Sequence, residues 1–461
     1  MEKQVDRFTV PVVKNLALLP YLRARYSGED LAALRWLLDR KGVFHFRCLP
    51  NGLYPAAGSA RPGDASGYQH VWVRDNVQIA NAHDVCGDSD AAERTAQALM
   101  TYFRRHVHRF REIISGRKDP RDPMNRPHVR FEGETLAELT EPWPQAQNDA
   151  LGYFLWFYCR LAREGRVPCG RPELDCLSLF PRYFQAVAYW QDRDSGHWEE
   201  GAKVSSSSLG TVLAGLCQYG GLLGGGSGIE EGGQPAGAPA GPALEQLREL
   251  LDKGRAALAE ILPCEAVEPD SRARRHDAAL LFLLYPLALP EAEPWEERIL
   301  ADVAMHLEGE HGIRRYRGDS YWFPDYKETL PPGTRHGDFS ETLRLRDTRI
   351  REGQEAQWCL FDPIVSVIYG RRFLTRREKG DRSGADRAIE RQTRYFNRAL
   401  GQLTDGREGF PAFCAPEAYY LKGGRYVPND QTPLLWTQAN LRLALHWMER
   451  TTAASEGRGV G

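Results

Sequence analysis

The sequence predicts an all-α protein built as an (α/α) toroid of about six helix pairs. Three observations lead there. Apolar residues recur at three- and four-residue spacing through about twelve segments, convincing alternating strands are few, and the connectors are unequal, several of them long and rich in Gly, Pro and Trp where a simple bundle would use short turns. Helices are predicted over 28–40, 76–85, 89–114, 147–163, 181–191, 206–219, 243–262, 276–287, 294–307, 356–374, 385–403 and 433–450.

Several of these begin on residues with a mechanism for starting a helix. Asp88 or Ser89 can cap the helix that follows, the hydroxyls of Ser205 to Ser208 precede Leu209, and Pro181, Pro294 and Pro433 suit a first helical turn. Two stretches read as insertions. Residues 220–241 are Gly/Pro/Ala-rich, a surface loop within the domain; residues 322–351 are long and polar but carry Trp322, Phe323, Tyr326 and Phe339, either a lid over a cleft or an excursion packed on the surface. The expected organisation is one catalytic domain over 1–450 followed by a disordered tail, 451–461.

The 461 residues carry 60 Lys+Arg against 62 Asp+Glu, a formal charge of -2, which excludes an extended basic surface for nucleic acid. A 42% hydrophobic content suffices for a large core. Nine cysteines, an odd number without a CxxC pair, argue against a disulfide framework or a zinc ribbon. The first ten residues are charged where a secretory signal has its apolar core, and no apolar run is long enough to span a bilayer, so a cytoplasmic protein without membrane contact is expected. No phosphate-binding GxxxxGK[ST] loop, calcium loop or HExxH appears, and neither cofactor nor metal is expected. His106 and His108 sit off a common helix face and read as part of a solvated basic surface.

The chemistry gathers where predicted helices open. Trp72, Arg74 and Asp75 follow Tyr68; Trp143 precedes Gln147 and Asp149; Trp198 precedes Glu199 and Glu200; Arg315 precedes Asp319; Glu355 precedes Trp358; and Glu417 with Tyr419 lies shortly before Trp436. If helices alternate inward and outward around a ring, loops at one end converge on one cleft holding aromatic plates, carboxylates and arginines. Such a cleft suits a neutral sugar, whose C–H faces pack on indole rings while its hydroxyls take bidentate bonds from Asp and Arg. Glycosidic cleavage further needs one protonated carboxylic acid and one carboxylate, and Glu199 and Glu417 are the candidates. His197, beside them, either lines the cleft or faces water.

Taken in order, these segments resemble the glucoamylase-type glycoside hydrolases of family 15, whose catalytic domain is an (α/α)6 barrel, the six-hairpin toroid. The resemblance runs through Tyr68–Trp72–Arg74–Asp75, Trp143–Gln147–Asp149, Trp198–Glu199–Glu200 with Ser205 to Ser208, Arg315–Tyr316–Asp319 with Trp358, and Glu417–Tyr419 with Trp436. It implies that Glu199 is the general acid, Glu417 the general base and Glu200 a neighbouring substrate ligand, with Tyr68, Trp72, Arg74, Asp75, Trp143, Asp149, Trp198, Arg315, Trp358 and Trp436 lining the sugar site. The segments Asn51-Gly-Leu-Tyr-Pro-Ala and Arg74-Asp75-Asn76-Val77 are closer to the glucoamylase-like region of phosphorylase kinase regulatory subunits. With Tyr68 so near the start there is no room for the N-terminal β-sandwich of bacterial relatives. The resulting expectation is an inverting, exo-acting α-glucosidase or glucoamylase releasing β-glucose from an α-glucan or α-glucoside. A non-catalytic glucan-binding regulatory module, or a same-fold enzyme for trehalose or α-1,6-linked glucosides, stands as the alternative.

Overall fold

In a computed structural model, residues 11–58, 67–224, 242–267, 274–330 and 345–457 are described. The twelve principal helices are α1 (Gly28–Arg40), α2 (Val73–Val85), α3 (Ser89–Arg105), α4 (Asn148–Arg163), α5 (Leu179–Ala186), α6 (Ser206–Leu223), α7 (Pro242–Ile261), α8 (Leu281–Leu284, led in by a 3-10 turn Ala278–Leu280), α9 (Glu296–Asp302), α10 (Phe361–Glu378), α11 (Arg382–Gly401) and α12 (Leu435–Ser455). Even-numbered helices form an inner ring in which α2, α4, α6, α8, α10 and α12 pack in sequence and α12 closes back on α2. Each odd-numbered helix lies outside the inner helix beside it in sequence, and α1 packs on α12 at the other end of the chain, which gives six hairpins.

Local sequence explains these elements. At α1, Ser27 accepts from the Asp30 backbone N–H while the Asp30 carboxylate accepts from the Ser27 N–H, a reciprocal cap. The Asp88 side chain accepts from Ala91 N at the start of α3. The inner helices α4 and α6 are buried on nearly all sides, as a wall covered on both faces requires, and they approach closely because glycines face each other. A Cβ on Gly152 would lie 2.6 Å from the Thr211 carbonyl carbon, and one on Gly215 would lie 2.8 Å from the Gly152 oxygen.

The predicted helices 89–114 and 181–191 differ in detail. The first breaks at His106, with a separate short helix Val107–Ile114. His106 is half-buried, not part of a solvated face, and its Nε2 lies 2.8 Å from the Leu136 carbonyl. The second gives way to Arg171–Leu177 and α5, in which Pro181 is the third residue, within the first turn. Pro294 falls in a 3-10 turn, and Pro433 precedes α12 by two residues. Of the expected tail, Thr451–Ser455 is instead the buried last turn and a half of α12, held by Thr451 Oγ1 donating to Gln392 at 2.9 Å.

Two small sheets sit at the ends of inner helices. β1 (Val71–Trp72) pairs antiparallel with β2 (Arg130–Phe131), Trp72 opposite Arg130. β3 (Gln357–Trp358), β4 (Ala418–Lys422) and β5 (Arg425–Pro428) form the other, Trp358 opposite Ala418 and Tyr420 opposite Val427. The β4–β5 hairpin turns through Gly423 and Gly424, both at positive φ (52° and 78°), which only glycines adopt without strain. The beginning of the 322–351 insertion is packed: Trp322, Phe323 and Tyr326 are buried, with Trp322 against Tyr420 at 4.8 Å. Phe339 and the body of the Gly-rich stretch lie outside the described residues. No described helix is long and apolar enough to cross a membrane.

Candidate active site

The sequence-predicted residues collect where the inner helices begin. Trp72 caps α2 and Arg74 and Asp75 occupy its first turn; Gln147 caps α4 and Asp149 follows; Glu199 and Glu200 precede α6; Trp358 precedes α10; Trp436 opens α12. Helix N-termini carry partial positive charge, so this rim favours carboxylates and hydroxyl oxygens.

Arg74 is the hub of one half of the site. Its Nη1 donates to Gln147 Oε1 at 3.0 Å and to Asp149 Oδ2 at 2.9 Å, and its Nη2 donates to Glu199 Oε1 at 3.0 Å. Glu199 sits in the left-handed region (φ 58°, ψ 35°), at the end of the 3-10 turn Gly196–Trp198. That conformation costs a non-glycine residue about 1 kcal/mol and here turns the carboxylate back toward Arg74. Burial raises the Glu199 carboxyl above its ordinary value, with Arg74 and Arg130 pulling the other way. Asp75 is raised to about 7, first by burial and then by the Glu199 charge against the pull of Arg74.

Glu417 anchors the other half. Its Oε1 accepts from the Tyr68 hydroxyl at 2.7 Å and its Oε2 from Asn429 Nδ2 at 2.5 Å, while the Tyr68 oxygen also lies 3.1 Å from that of Tyr321. Burial pushes Glu417 up to about 7 despite those two bonds, and Asp75 adds to the rise. Asp75 thus stands between the two, raised by the Glu199 charge and raising Glu417 by its own.

Glu200 has a different fate from its neighbour. Oε1 accepts from Arg315 Nη2 at 2.6 Å, and Oε2 accepts from Arg274 Nη2 at 2.5 Å and from the Tyr316 hydroxyl. Burial raises its carboxyl, but Arg315, Arg274 and Arg346 outweigh it and bring the value to about 2. Both oxygens are spent on this cluster, so Glu200 holds Arg315 in place. Arg315 in turn forks onto Asp319 at 2.7 and 2.6 Å and lies over the Trp358 ring at 4.6 Å.

Aromatic rings fill the walls. Tyr68 meets Trp72 at 5.4 Å, Trp72 meets Trp143 edge-on at 5.9 Å, and Trp198 meets Trp358 at 6.1 Å. The buried indole N–H groups of Trp143 and Trp358 meet no acceptor among the described residues. Trp198 is fixed by its N–H donating to Asp277 Oδ1 at 2.8 Å. Trp436 stacks on Phe282 at 5.2 Å, and Phe282 stacks on His197 at 5.3 Å, which puts Trp436 in the floor of the ring, with no direct bond to either carboxylate. His197 is core: buried, 3.0 Å from the Tyr153 hydroxyl, and lowered to about 3 by burial.

Five site residues lay outside the sequence reading: Arg130, Arg274, Asp277, Tyr321 and Asn429. Arg130 covers the face of Trp143 at 3.9 Å and reaches out to the half-exposed Glu141. One of them had a readable signal, since Asn429 ends the Tyr-Leu-Lys-Gly-Gly-Arg-Tyr-Val hairpin, alternating residues about a Gly-Gly turn. The others act through contacts made only on folding.

The ring of six hairpins with its cleft at one rim defines an (α/α)6 toroid. Residues 48–240 match the model of glycosyl hydrolases family 15. The chain is similar to a solved glycosidase in complex with glucose (18% identity, TM-score 0.61, 92% of this chain and 99% of that one) and to the glucoamylase of Saccharomycopsis fibuligera (11%, TM-score 0.57, 94% and 99%). A bacterial glucoamylase complexed with acarbose shares the fold at 16% identity and TM-score 0.55, over 87% of this chain and 53% of that one. In sequence it is 25% identical over 410 residues to a probable phosphorylase b kinase regulatory subunit alpha of Caenorhabditis elegans, spanning 80% of this chain and 30% of that longer protein.

Proposed function

We propose that the chain is an inverting, exo-acting α-glucosidase that releases β-glucose from the non-reducing end of an α-glucan or α-glucoside. The observation that carries this reading is the pair of carboxylates held by unlike partners, the half-buried Glu199 by the Arg74 guanidinium and the buried Glu417 by the Tyr68 and Asn429 donors. Glu199 gives its proton to the glycosidic oxygen as the C1–O bond breaks. Glu417 takes a proton from a water whose oxygen attacks C1 on the opposite face, and the proton later returns to Glu199 through solvent. Arg74, Asp75 and Arg315 grip hydroxyls of the terminal sugar, and Trp72, Trp143 and Trp358 pack on its carbon faces.

A neighbouring sugar hydroxyl that draws Arg74 away from Glu199 removes the largest charge that opposes the upward shift of this carboxyl. Substrate binding thereby favours the protonated form that cleavage needs. A second reading, a glucan-binding regulatory module without turnover, is favoured by the match to a phosphorylase kinase regulatory subunit. Proton NMR of the protein with maltose, maltotriose, isomaltose and trehalose separates the two. Early β-glucose, absent with Glu417→Gln, supports hydrolysis and reports the linkage; binding of these sugars without release supports the regulatory module.

A further inference from the structure

Behind the acid segment, the loop that supplies Arg274 and Asp277 carries His276 between them. Arg274 holds Glu200, and Asp277 holds Trp198. His276 points outward, to the last residue of α9 and the π turn that follows, Val303–Leu307. There His276 Nδ1 lies 3.4 Å from Asp302 Oδ2, and its ring stands 4.1 Å from that of His306 at an interplanar angle of 12°. One donor atom from each of the three residues lies within 4.8 Å of the others. His276 Nδ1 is buried and makes no hydrogen bond among the described residues.

We propose that His276, Asp302 and His306 form a binding site for a divalent transition-metal ion of the zinc class, which fastens the 274–277 segment to α9. Two imidazoles and a carboxylate are a ligand set such ions favour, and bonds of about 2.0–2.1 Å in a tetrahedron place donors about 3.3 Å apart. The His276–Asp302 separation already has that value. The stacked rings converge on one ion when one of them turns about χ2, a soft torsion for histidine. Arg298 Nε now donates to both Asp302 oxygens at 2.9 and 2.8 Å, but its side chain is 55% exposed, and such a pair yields at little cost. The π turn brings His306 round to the face that Asp302 presents, a use to which π turns are often put. The sequence hides the site because its ligands lie 26 and 4 residues apart and form no recognised metal spacing.

The test is calorimetric titration of the tag-free, EDTA-treated protein with Zn²⁺, with thermal unfolding followed at each metal ratio. The expected result is saturable binding at one ion per chain with a dissociation constant in the low micromolar range or tighter, and a rise in the unfolding midpoint. His276→Ala, His306→Ala and Asp302→Asn are each expected to weaken binding on the order of tenfold or more. His306→Gln serves where the alanine variant fails to fold, and circular dichroism checks each variant. No saturable binding below about 100 µM Zn²⁺, or parent-like affinity in folded His276 and His306 variants, overturns the proposal.

Discussion

Glu200→Gln removes one negative charge and keeps the shape of the side chain. The carboxylate now accepts from two arginines and a tyrosine, whereas the amide has one acceptor and turns its NH2 toward a guanidinium. Arg315, Arg274 and Arg346 hold the carboxyl below its ordinary value against the pull of burial, so the folded state is stabilised by this charge. Removing one partner of a buried ion pair costs roughly 3–5 kcal/mol. A chain of 461 residues has an unfolding entropy near 1 kcal/mol/K, so the midpoint is expected to fall by about 3–5 °C at pH 7.

The pH dependence follows from the direction of the shift. A group lowered in the folded state contributes fully above its unfolded value and loses that contribution as pH falls toward its folded value. The gap between parent and variant should therefore be constant from pH 8 to about 5 and close below about 4.5. Differential scanning calorimetry across that range is the assay. A gap under about 1 °C at pH 7, or one that widens on acidification, refutes the assignment of Glu200 to the arginine cluster.

Glu417 must be ionised to accept a proton, so kcat/KM on the preferred sugar should fall as pH drops through about 7, and Asp75→Asn should move that midpoint down by removing a negative neighbour. Asp194, raised to about 7, and Glu265, raised to about 8, are held up first by burial, and hold protons in the folded state that the unfolded chain has released; stability should decline from about pH 4.5 to 8, with a flatter melting-temperature profile in Asp194→Asn. Arg74→Lys cannot reach Gln147, Asp149 and Glu199 together, and a loss of kcat on the order of a hundredfold is expected in steady-state assays. Gly152→Ala presses a methyl into the α6 backbone, and urea unfolding should show a loss of about 1–3 kcal/mol or more.

What the sequence made legible was periodic or ordered. The boundaries of α1 and α4 follow from apolar spacing and first-turn residues, and the order of Trp-rich segments pointed to Glu199, Glu200 and Glu417 but not to Asp277. What it hid was set by tertiary contact. Nothing local announces the break at His106, which exists because its imidazole reaches the Leu136 carbonyl thirty residues on. The 276–287 segment reads as a full helix by spacing but forms only a 3-10 turn and one α turn, because Asp277 caps it at the Ala279 N–H and the extended Tyr285 before Pro286 ends it. His197 reads by adjacency as lining the cleft or facing water, yet the 3-10 turn at 196–198 points it into the core against Phe282.

The triplet Trp198–Glu199–Glu200 shows why adjacency is a poor guide to role. Trp198 is fixed by Asp277, Glu200 by Arg274, Arg315 and Tyr316, and both holders on the 274–277 loop lie on the same side. Glu199 lies between these two anchored neighbours, and the left-handed turn at that residue is what sends its carboxylate the other way, toward Arg74. The strain of about 1 kcal/mol is small beside the roughly 3–5 kcal/mol that breaking a buried ion pair such as that of Glu200 costs, so the anchors hold the turn. Loosening either anchor is then expected to relax the backbone at Glu199 and move the proposed acid. Trp198→Phe tests this: it removes the bond to Asp277 while leaving both glutamates in place. Its expected signature is a fall in kcat with glucan affinity retained, and unchanged kcat would show that the turn at Glu199 holds without that anchor.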